Sequence, residues 1–294
     1  MVFKNIGLMT QRYTEETLET LVHLINYLSK KKLSIVLEAD TAKHLGSIVP
    51  GMFKQELRER LGASCDLIIV VGGDGSLLNA ARAVVAHETP LLGINRGTLG
   101  FLADMMPDEI EEKLELILQG VYQEEKRFLL ETHIEGREEH YPALNEVILV
   151  SSDMAKMIEF EIYVDDVFMC SQRSDGLIIA TPTGSTAYAL SAGGPILYPN
   201  LDVIVMIPMF PHSLNNRPIV ISNEKKIHIE VSGKGNQNIA YVSCDSHTHI
   251  KVKPLEKIFV HRMKQELRLL HSQGHDYFKT LRSKLGWGVK IIKN

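Results

Sequence analysis

Three short stretches of this chain carry side chains whose types and spacing could do chemistry. The first is Val70-Val71-Gly72-Gly73-Asp74-Gly75-Ser76-Leu77-Leu78, in which a carboxylate sits among three glycines between an apolar run and a helical pattern. Glycines let backbone N–H groups approach an anion, and a following helix N-terminus favours negative charge, so such a turn suits a phosphate. A carboxylate facing phosphates is repelled unless it has a task. Asp74 could accept the proton of an attacking hydroxyl or hold Mg²⁺; the plainer reading is a turn aspartate bonding its own backbone. The second stretch is Asn145-Glu146, just before the apolar run Val147-Ile148-Leu149-Val150. Alone it is nearly uninformative, and a polar strand start is the plainer reading. The third is Ser174-Asp175-Gly176-Leu177-Ile178-Ile179-Ala180-Thr181-Pro182-Thr183-Gly184-Ser185-Thr186-Ala187-Tyr188, continuing into Ser191-Ala192-Gly193-Gly194-Pro195. Here an apolar strand meets small hydroxyl residues and exposed amides, groups able to read a nucleotide edge and its phosphates; an ordinary Ser/Thr-rich turn is the equal alternative.

Other chemistries are disfavoured. The chain has neither GxxxxGK[ST] nor GxGxxG at the glycine turn, which argues against an ordinary P-loop NTPase or a dinucleotide oxidoreductase. His87-Glu88 lacks the second histidine of a metalloprotease helix. His247 and His249 share one face of a strand, an arrangement polar strand faces produce by chance. Cys65, Cys170 and Cys244 are too few and too scattered for a disulfide framework or zinc ribbon, and read as reduced thiols. No metal-ligand set is assigned.

The elements that must position these residues come in two styles. Up to about residue 120, strand and helix patterns alternate. Phe3–Met9, Leu33–Leu37, Asp66–Val71 and Pro90–Ile94 read as strands. Thr14–Lys30, Gln55–Leu61, Leu77–Val85 and Asp108–Leu118 read as helices. Asp66–Val71 is apolar on both faces, as a parallel strand covered by helices is. The alternation predicts a parallel α/β sheet. From Phe128 to Val260 the period becomes two, with a turn at Asp165-Asp166 and another at Gly233-Lys234-Gly235-Asn236, which predicts an all-β, sandwich-like domain. From Gln265 the pattern again reads as helical, a tail that could return to the first domain. The expected boundaries are 1–123 with 262–294 for the α/β domain and 124–261 for the β domain.

The 294 residues suggest about two domains, and a net charge of −4 removes the basic footprint of a nucleic-acid binder. No apolar run reaches the ~18–20 residues of a membrane span, and Met1-Val2-Phe3-Lys4-Asn5 opens no signal-peptide core. The expectation is a cytoplasmic protein with neither nucleic-acid nor membrane partners.

Taken together, Gly72-Gly73-Asp74-Gly75, Asn145-Glu146 and the long Thr181–Tyr188 and Ser191–Pro195 segments resemble the NAD kinase family, in the family's order. Leu99-Gly100-Phe101-Leu102, Ser243-Cys244-Asp245 and Leu281-Arg282-Ser283-Lys284-Leu285-Gly286-Trp287 also look like family segments, most like those of Gram-negative bacteria. The glycine turn alone is shared with lipid kinases and phosphofructokinase-like enzymes; the Thr-Pro-Thr-Gly-Ser-Thr-Ala-Tyr element is far more specific. The resemblance implies a phosphofructokinase-like parallel α/β domain, completed by the C-terminal tail, and a β-sandwich domain for NAD binding and oligomerisation. It implies transfer of the ATP γ-phosphoryl group to the 2′-hydroxyl of the adenosine ribose of NAD, with Mg²⁺ as the divalent cation. By the same resemblance Asp74 is the general base or orienting group, and Gly72, Gly73 and Gly75 shape the phosphate cradle. Asn145 and Glu146 hold the ribose and adenine, and Phe101, Thr186, Ala187, Tyr188 and Ser191 line the adenosine pocket. Asp175 and Asp245 lie toward the nicotinamide. Arg173, two residues before Asp175, could help discriminate the charge state of the nicotinamide or be a plain surface arginine. A homodimer or homotetramer is implied, Asp175 coming from a neighbouring subunit. The competing readings are a diacylglycerol-type lipid kinase and a catalytically silent NAD(H) sensor.

Overall fold

The computed structural model describes residues 1–46, 48–49, 53–97, 99–152, 156–232 and 239–288. The chain divides into two compact units, Met1–Lys126 with Leu267–Asn294, and Arg127–Glu266.

The first unit alternates β1 (Asn5–Thr10), α1 (Glu15–Lys30), β2 (Ser34–Glu38), α2 (Ala39–Leu45), β3 (Lys54–Glu56), α3 (Arg58–Ser64), β4 (Leu67–Val71), α4 (Asp74–Val84), β5 (Leu91–Ile94) and α5 (Ile110–Leu118). Local chemistry explains the first helix. Thr14 caps it by accepting from Thr17 N–H, and Leu21, Leu24, Ile25 and Leu28 fall on one buried stripe. All five residues of β4 are buried, as its two-faced apolar run predicts. The strands pair in parallel in the order β3-β2-β1-β4-β5. The order reverses between β1 and β4, and open α/β sheets bind ligands outside the carboxyl ends of strands at such a point. Those ends are in register here. Thr10 faces Val71, Val71 faces Ile94, Thr10 Oγ1 donates to Val71 O at 2.8 Å and Gly72 N donates to Ile94 O at 2.9 Å. The loops after β1, β4 and β5 therefore emerge side by side. Arg58 of α3 bonds the buried Glu38 carboxylate at 3.2 and 2.8 Å and Asn79 of α4 at 3.0 Å, which fixes α4 behind those loops.

Some expectations for this unit need correction. Gln55 lies in β3, and the helix expected there begins only at Arg58. Helix α2 went unpredicted. Its cap is a glutamate, Glu38, whose side chain accepts from Thr41 N–H. Helix α4 starts at Asp74 rather than Leu77, so Gly75 sits inside its first turn. The tail expected to be helical from Gln265 is strand as far as His271, within the long strand Lys257–His271. Leu269 and Leu270 pair in parallel with Leu91 and Leu92 of β5, so sheet pairing decides where periodicity was ambiguous. The helix starts only at Tyr277, after Asp276 accepts from Phe278 N–H at 2.9 Å.

The second unit holds two antiparallel sheets. One has six strands in the order Ile219–Ser222, Val203–Met209, Gly176–Ala180, Glu146–Ser151, Ala240–Cys244, Thr248–Val252. The other includes Val167–Ser174, Ile158–Val164 and Ile227–Val231, paired in that order with the first part of Lys257–His271. Val147, Leu149, Leu177 and Ile179 of the first sheet share one core with Phe160, Ile162, Ile227 and Ile229 of the second. The outer face of the six-stranded sheet is also covered: Ile148, Ile178 and Ile207 pack with Ala189 and Leu197. The Leu177–Ala180 run is apolar throughout because both its faces are buried. Asp165 and Asp166 turn the hairpin with φ of 50° and 62°. The turn expected at Gly233–Asn236 lies outside the described residues.

Candidate active site

Chemically capable residues gather in each unit. In the first, a cavity of about 520 Å³ opens at the carboxyl ends of β1, β4 and β5, lined by Arg12, Gly73–Ser76, Arg96, Gly97, Gly100 and Lys284. Gly72 serves the turn: its φ is +150°, and a Cβ there would lie 2.3 Å from Ser76 Oγ. Gly73 caps α4, and Asp74 and Gly75 begin it, so backbone N–H groups and the positive helix end face the cavity.

The Asp74 carboxylate does not bond its own turn. Oδ2 accepts from Phe101 N–H at 3.0 Å, and Oδ1 accepts from Leu102 N–H at 3.0 Å and Ala103 N–H at 3.4 Å. Lys284 Nζ, from the C-terminal helix, donates to Oδ2 at 2.7 Å and lies 5.0 Å from the centre of the Phe101 ring. This seating requires Gly100, where a Cβ would come within 2.1 Å of Asp74 Oδ1. With Arg12, Arg96 and Lys284 around a single carboxylate, the cavity suits a polyanion. A divalent ion would find one protein carboxylate there, Asp74. That fits Mg²⁺ carried on phosphate oxygens with several retained waters, which needs few protein ligands.

In the second unit, three motifs converge at one end of the six-stranded sheet. Glu146 opens its strand opposite Ala180, and Val147 faces Cys244 on the other side. The Thr181–Ser191 segment therefore leaves one flank and Asp245 the other. Thr181 N donates to Asn145 O at 2.9 Å and Thr181 Oγ1 to Leu144 O at 2.6 Å. Ser185 Oγ bonds Pro182 O at 2.6 Å and receives Leu197 N–H at 3.0 Å. The hydroxyls of Thr181 and Ser185 thus build the loop, leaving Ala187 half-buried, Thr186 half-buried with its hydroxyl on Thr183 O, and Tyr188 and Ser191 exposed. Asp245 accepts from the N–H groups of Leu144, Asn145 and Glu146 at 2.9, 2.8 and 3.2 Å. Its carboxylate holds the Asn145-Glu146 backbone in place.

Glu146 is 3% exposed, and its Oε2 is buried with no hydrogen-bond partner. Burial first, and the nearby Asp245 charge second, push its carboxyl up to about 8. A buried polar atom left unsatisfied costs stability and calls for a functional explanation.

Not every candidate joins this end of the sheet. Asp175 precedes Gly176, at the far end of the five-residue strand Gly176–Ala180, about 17 Å from its Ala180 end. Its main chain bonds Met209 and Ser151 there, and the exposed Arg173 lies on the same side. Arg12 and Arg96 escaped the sequence reading, and Lys284 entered it only within the Leu281–Trp287 family segment, with no role given. Lys284 stands 210 residues from Asp74, and no local pattern marks such a pairing. No helix among the described residues is long and apolar enough to cross a membrane.

Comparison with known proteins matches both halves of the chain to one family. The model for the ATP-NAD kinase N-terminal domain matches residues 6–122, and that for the ATP-NAD kinase C-terminal domain matches residues 144–272. An NAD kinase of Pseudomonas putida (strain W619) is 49% identical over 293 residues, covering 98% of this chain and 97% of the relative. One from Chromohalobacter salexigens is 46% identical over 292 residues, covering 98% of both. Among solved structures, yeast NADH kinase complexed with NADH superposes with a TM-score of 0.91 at 23% identity, over 100% of this chain and 91% of that one. An NAD kinase from Archaeoglobus fulgidus in complex with ATP gives a TM-score of 0.72 at 24% identity, over 96% and 97%. These two share the fold.

Proposed function

The chain belongs to the NAD kinase family and transfers phosphate to NAD, and on that premise we propose how its two sets of residues divide the work. The donor is ATP, its phosphates seated against the N-terminus of α4 among Arg12, Arg96 and Lys284. The acceptor is the 2′-hydroxyl of the adenosine ribose. The observation that carries this reading is the unpartnered, buried Glu146 Oε2, set beside the braced Thr181–Ser191 loop. A ribose diol supplies the donors that this carboxyl lacks. Asn145 assists Glu146, Phe101, Thr186, Ala187, Tyr188 and Ser191 line the adenosine, and Asp245 is a positioning residue that keeps the Asn145-Glu146 backbone fixed.

Asp74 receives the proton of the attacking hydroxyl at Oδ2. Both lone-pair directions of that oxygen are taken, by Phe101 N–H and Lys284. The hydroxyl therefore enters by displacing Lys284, and the released ammonium turns to the phosphates in the same cavity. Phosphoryl transfer needs positioning and charge neutralisation more than covalent chemistry, so one lysine moving between the two anions serves both substrates. Mg²⁺, when bound, supplies further neutralisation of the phosphate oxygens, with Asp74 as the carboxylate in reach.

Because Asp175 lies a strand length from Glu146, it reaches a shared ligand from a second copy of the chain. We accordingly expect a cytoplasmic homodimer or homotetramer. A coupled assay tests the reading: with NAD, ATP and Mg²⁺ the protein yields NADP detectable by an NADP-specific dehydrogenase, and no NADP would contradict it. For the shared site, co-expressed Asp74→Asn and Asp175→Ala chains should recover activity above either parent. A mixture no better than its parents contradicts that arrangement.

A further inference from the structure

The first unit holds another group of capable side chains, outside the Asp74 cavity. His271 ends the long strand, and the chain turns through Ser272, whose carbonyl accepts from His275 N–H at 3.3 Å. The turn stacks the two imidazoles, with ring centres 3.9 Å apart and planes 19° apart. Both Nδ1 atoms address one carboxylate oxygen, Asp104 Oδ2, at 3.1 Å from His271 and 2.7 Å from His275. Both Nε2 atoms face Glu125, at 3.7 and 3.9 Å. The side chains are enclosed: His271 is 0% exposed, His275 7%, Asp104 11% and Glu125 19%. His271 Nδ1 is within ion-pair distance of Asp104, yet by hydrogen-bond geometry both of its buried ring nitrogens are left without a partner. Among the described residues, these three are the one set whose potential ligand atoms all lie within 4.8 Å of one another.

We propose that Asp104, His271 and His275 bind a divalent transition-metal ion of the zinc class, through one carboxylate oxygen and the two Nδ1 atoms. Two imidazoles and a carboxylate suit Zn²⁺ and its neighbours rather than Mg²⁺. Histidine ligands characteristically donate their second ring N–H to a carboxylate, and Glu125 occupies that position for both. A tetrahedral ion with bonds of about 2.0–2.1 Å keeps its ligands roughly 3.3 Å apart, so Asp104 must draw back by about 0.2 Å from His271 and about 0.6 Å from His275, and the stacked His271 ring must turn to aim its in-plane Nδ1 lone pair at the ion. The ion would tie together the two arms that hold Asp74. Asp104 follows the Phe101–Ala103 amides bonded to Asp74. His275 precedes Asp276, the cap of the helix that delivers Lys284. Its role is that of a structural clamp, separate from the Mg²⁺ of the reaction.

The test uses the full-length protein stripped of metal, free of nucleotide and Mg²⁺, and titrated with Co²⁺. The expected result is one ion per chain with the visible absorption of a low-coordinate N/O site, displaced by Zn²⁺. Zn²⁺ should also raise the unfolding midpoint by about 5 °C. His275→Gln and Asp104→Asn should each weaken Co²⁺ binding by at least roughly 10–100-fold, since losing a ligand costs no less than losing the partner that orients one, while His249→Gln, exposed on the strand Thr248–Val252, leaves it unchanged. Should a variant fail to fold, the wild-type Co²⁺ form still reports: two contact-shifted imidazole N–H resonances support the site. Fewer than two such resonances, no uptake of Co²⁺, or equal affinity in folded His275→Gln would overturn it.

Discussion

The two carboxylates assigned to the reaction live in opposite surroundings. Asp74 is met by four N–H donors, three from the 101–103 backbone and one from Lys284. Glu146 is more deeply enclosed, and one of its oxygens has no donor. On the proposed roles, the contrast separates a group already held in working geometry, which must exchange a partner to act, from a group whose partner arrives with the ligand. Burial alone therefore does not mark the catalytic residue. The difference lies in who supplies the donors.

Removing the Asp74 charge should have the largest effect. Asp74→Asn is expected to lower kcat by roughly 10²–10⁴, the span of a general base, while the folded protein persists because one side-chain oxygen still accepts backbone N–H groups. Steady-state NADP formation measures this, and near-normal turnover would leave Asp74 only a structural role. Lys284→Ala comes next. Loss of the ammonium shared between Asp74 and the phosphates should reduce kcat/KM for ATP by about 10–10², with partial recovery in Lys284→Arg. An unchanged value would mean that the Lys284–Asp74 contact is incidental to transfer.

The smallest expected effect is one of stability. Glu146 titrates near 8 in the folded protein, against about 4.5 for the ordinary group. The folded state thus keeps a proton that the unfolded chain gives up above pH 4.5. That contribution is present in full at low pH and is lost as pH rises through 8. Unliganded wild-type protein should lose roughly 2–4 kcal/mol from this group between pH 5 and pH 9, and Glu146→Gln should lack that slope. Unfolding midpoints at the two pH values check it; parallel curves for the two proteins would remove the buried, proton-holding carboxyl from the account.

What the sequence reveals follows from the range of the interactions. Helix α1 is legible because its cap, Thr14, and its stripe from Leu21 to Leu28 are local. The double apolar runs at Leu67–Val71 and Leu177–Ile179 announce strands buried on both faces. The strand character of Leu267–Leu270 is not legible, since only pairing with Leu91 and Leu92, far away in the chain, decides it. The motifs around Asp74, Glu146 and Thr181 stand out because glycine and hydroxyl residues are needed at fixed local spacing. Their supporting partners do not. Lys284 reaches Asp74, Asp245 braces Asn145, and His271 with His275 meets Asp104, all across 100 residues or more.

The most direct measurement of the division of labour is NAD affinity at equilibrium, taken by calorimetry on two variants side by side. Asp74→Asn should bind NAD within about threefold of wild type, since its loss falls on the transition state. Glu146→Gln should bind NAD roughly 10–100-fold more weakly at pH 8.5, having lost a charge-assisted hydrogen bond, yet keep most of its kcat at saturating NAD. The reverse pattern, with affinity lost in Asp74→Asn and kept in Glu146→Gln, would contradict the account.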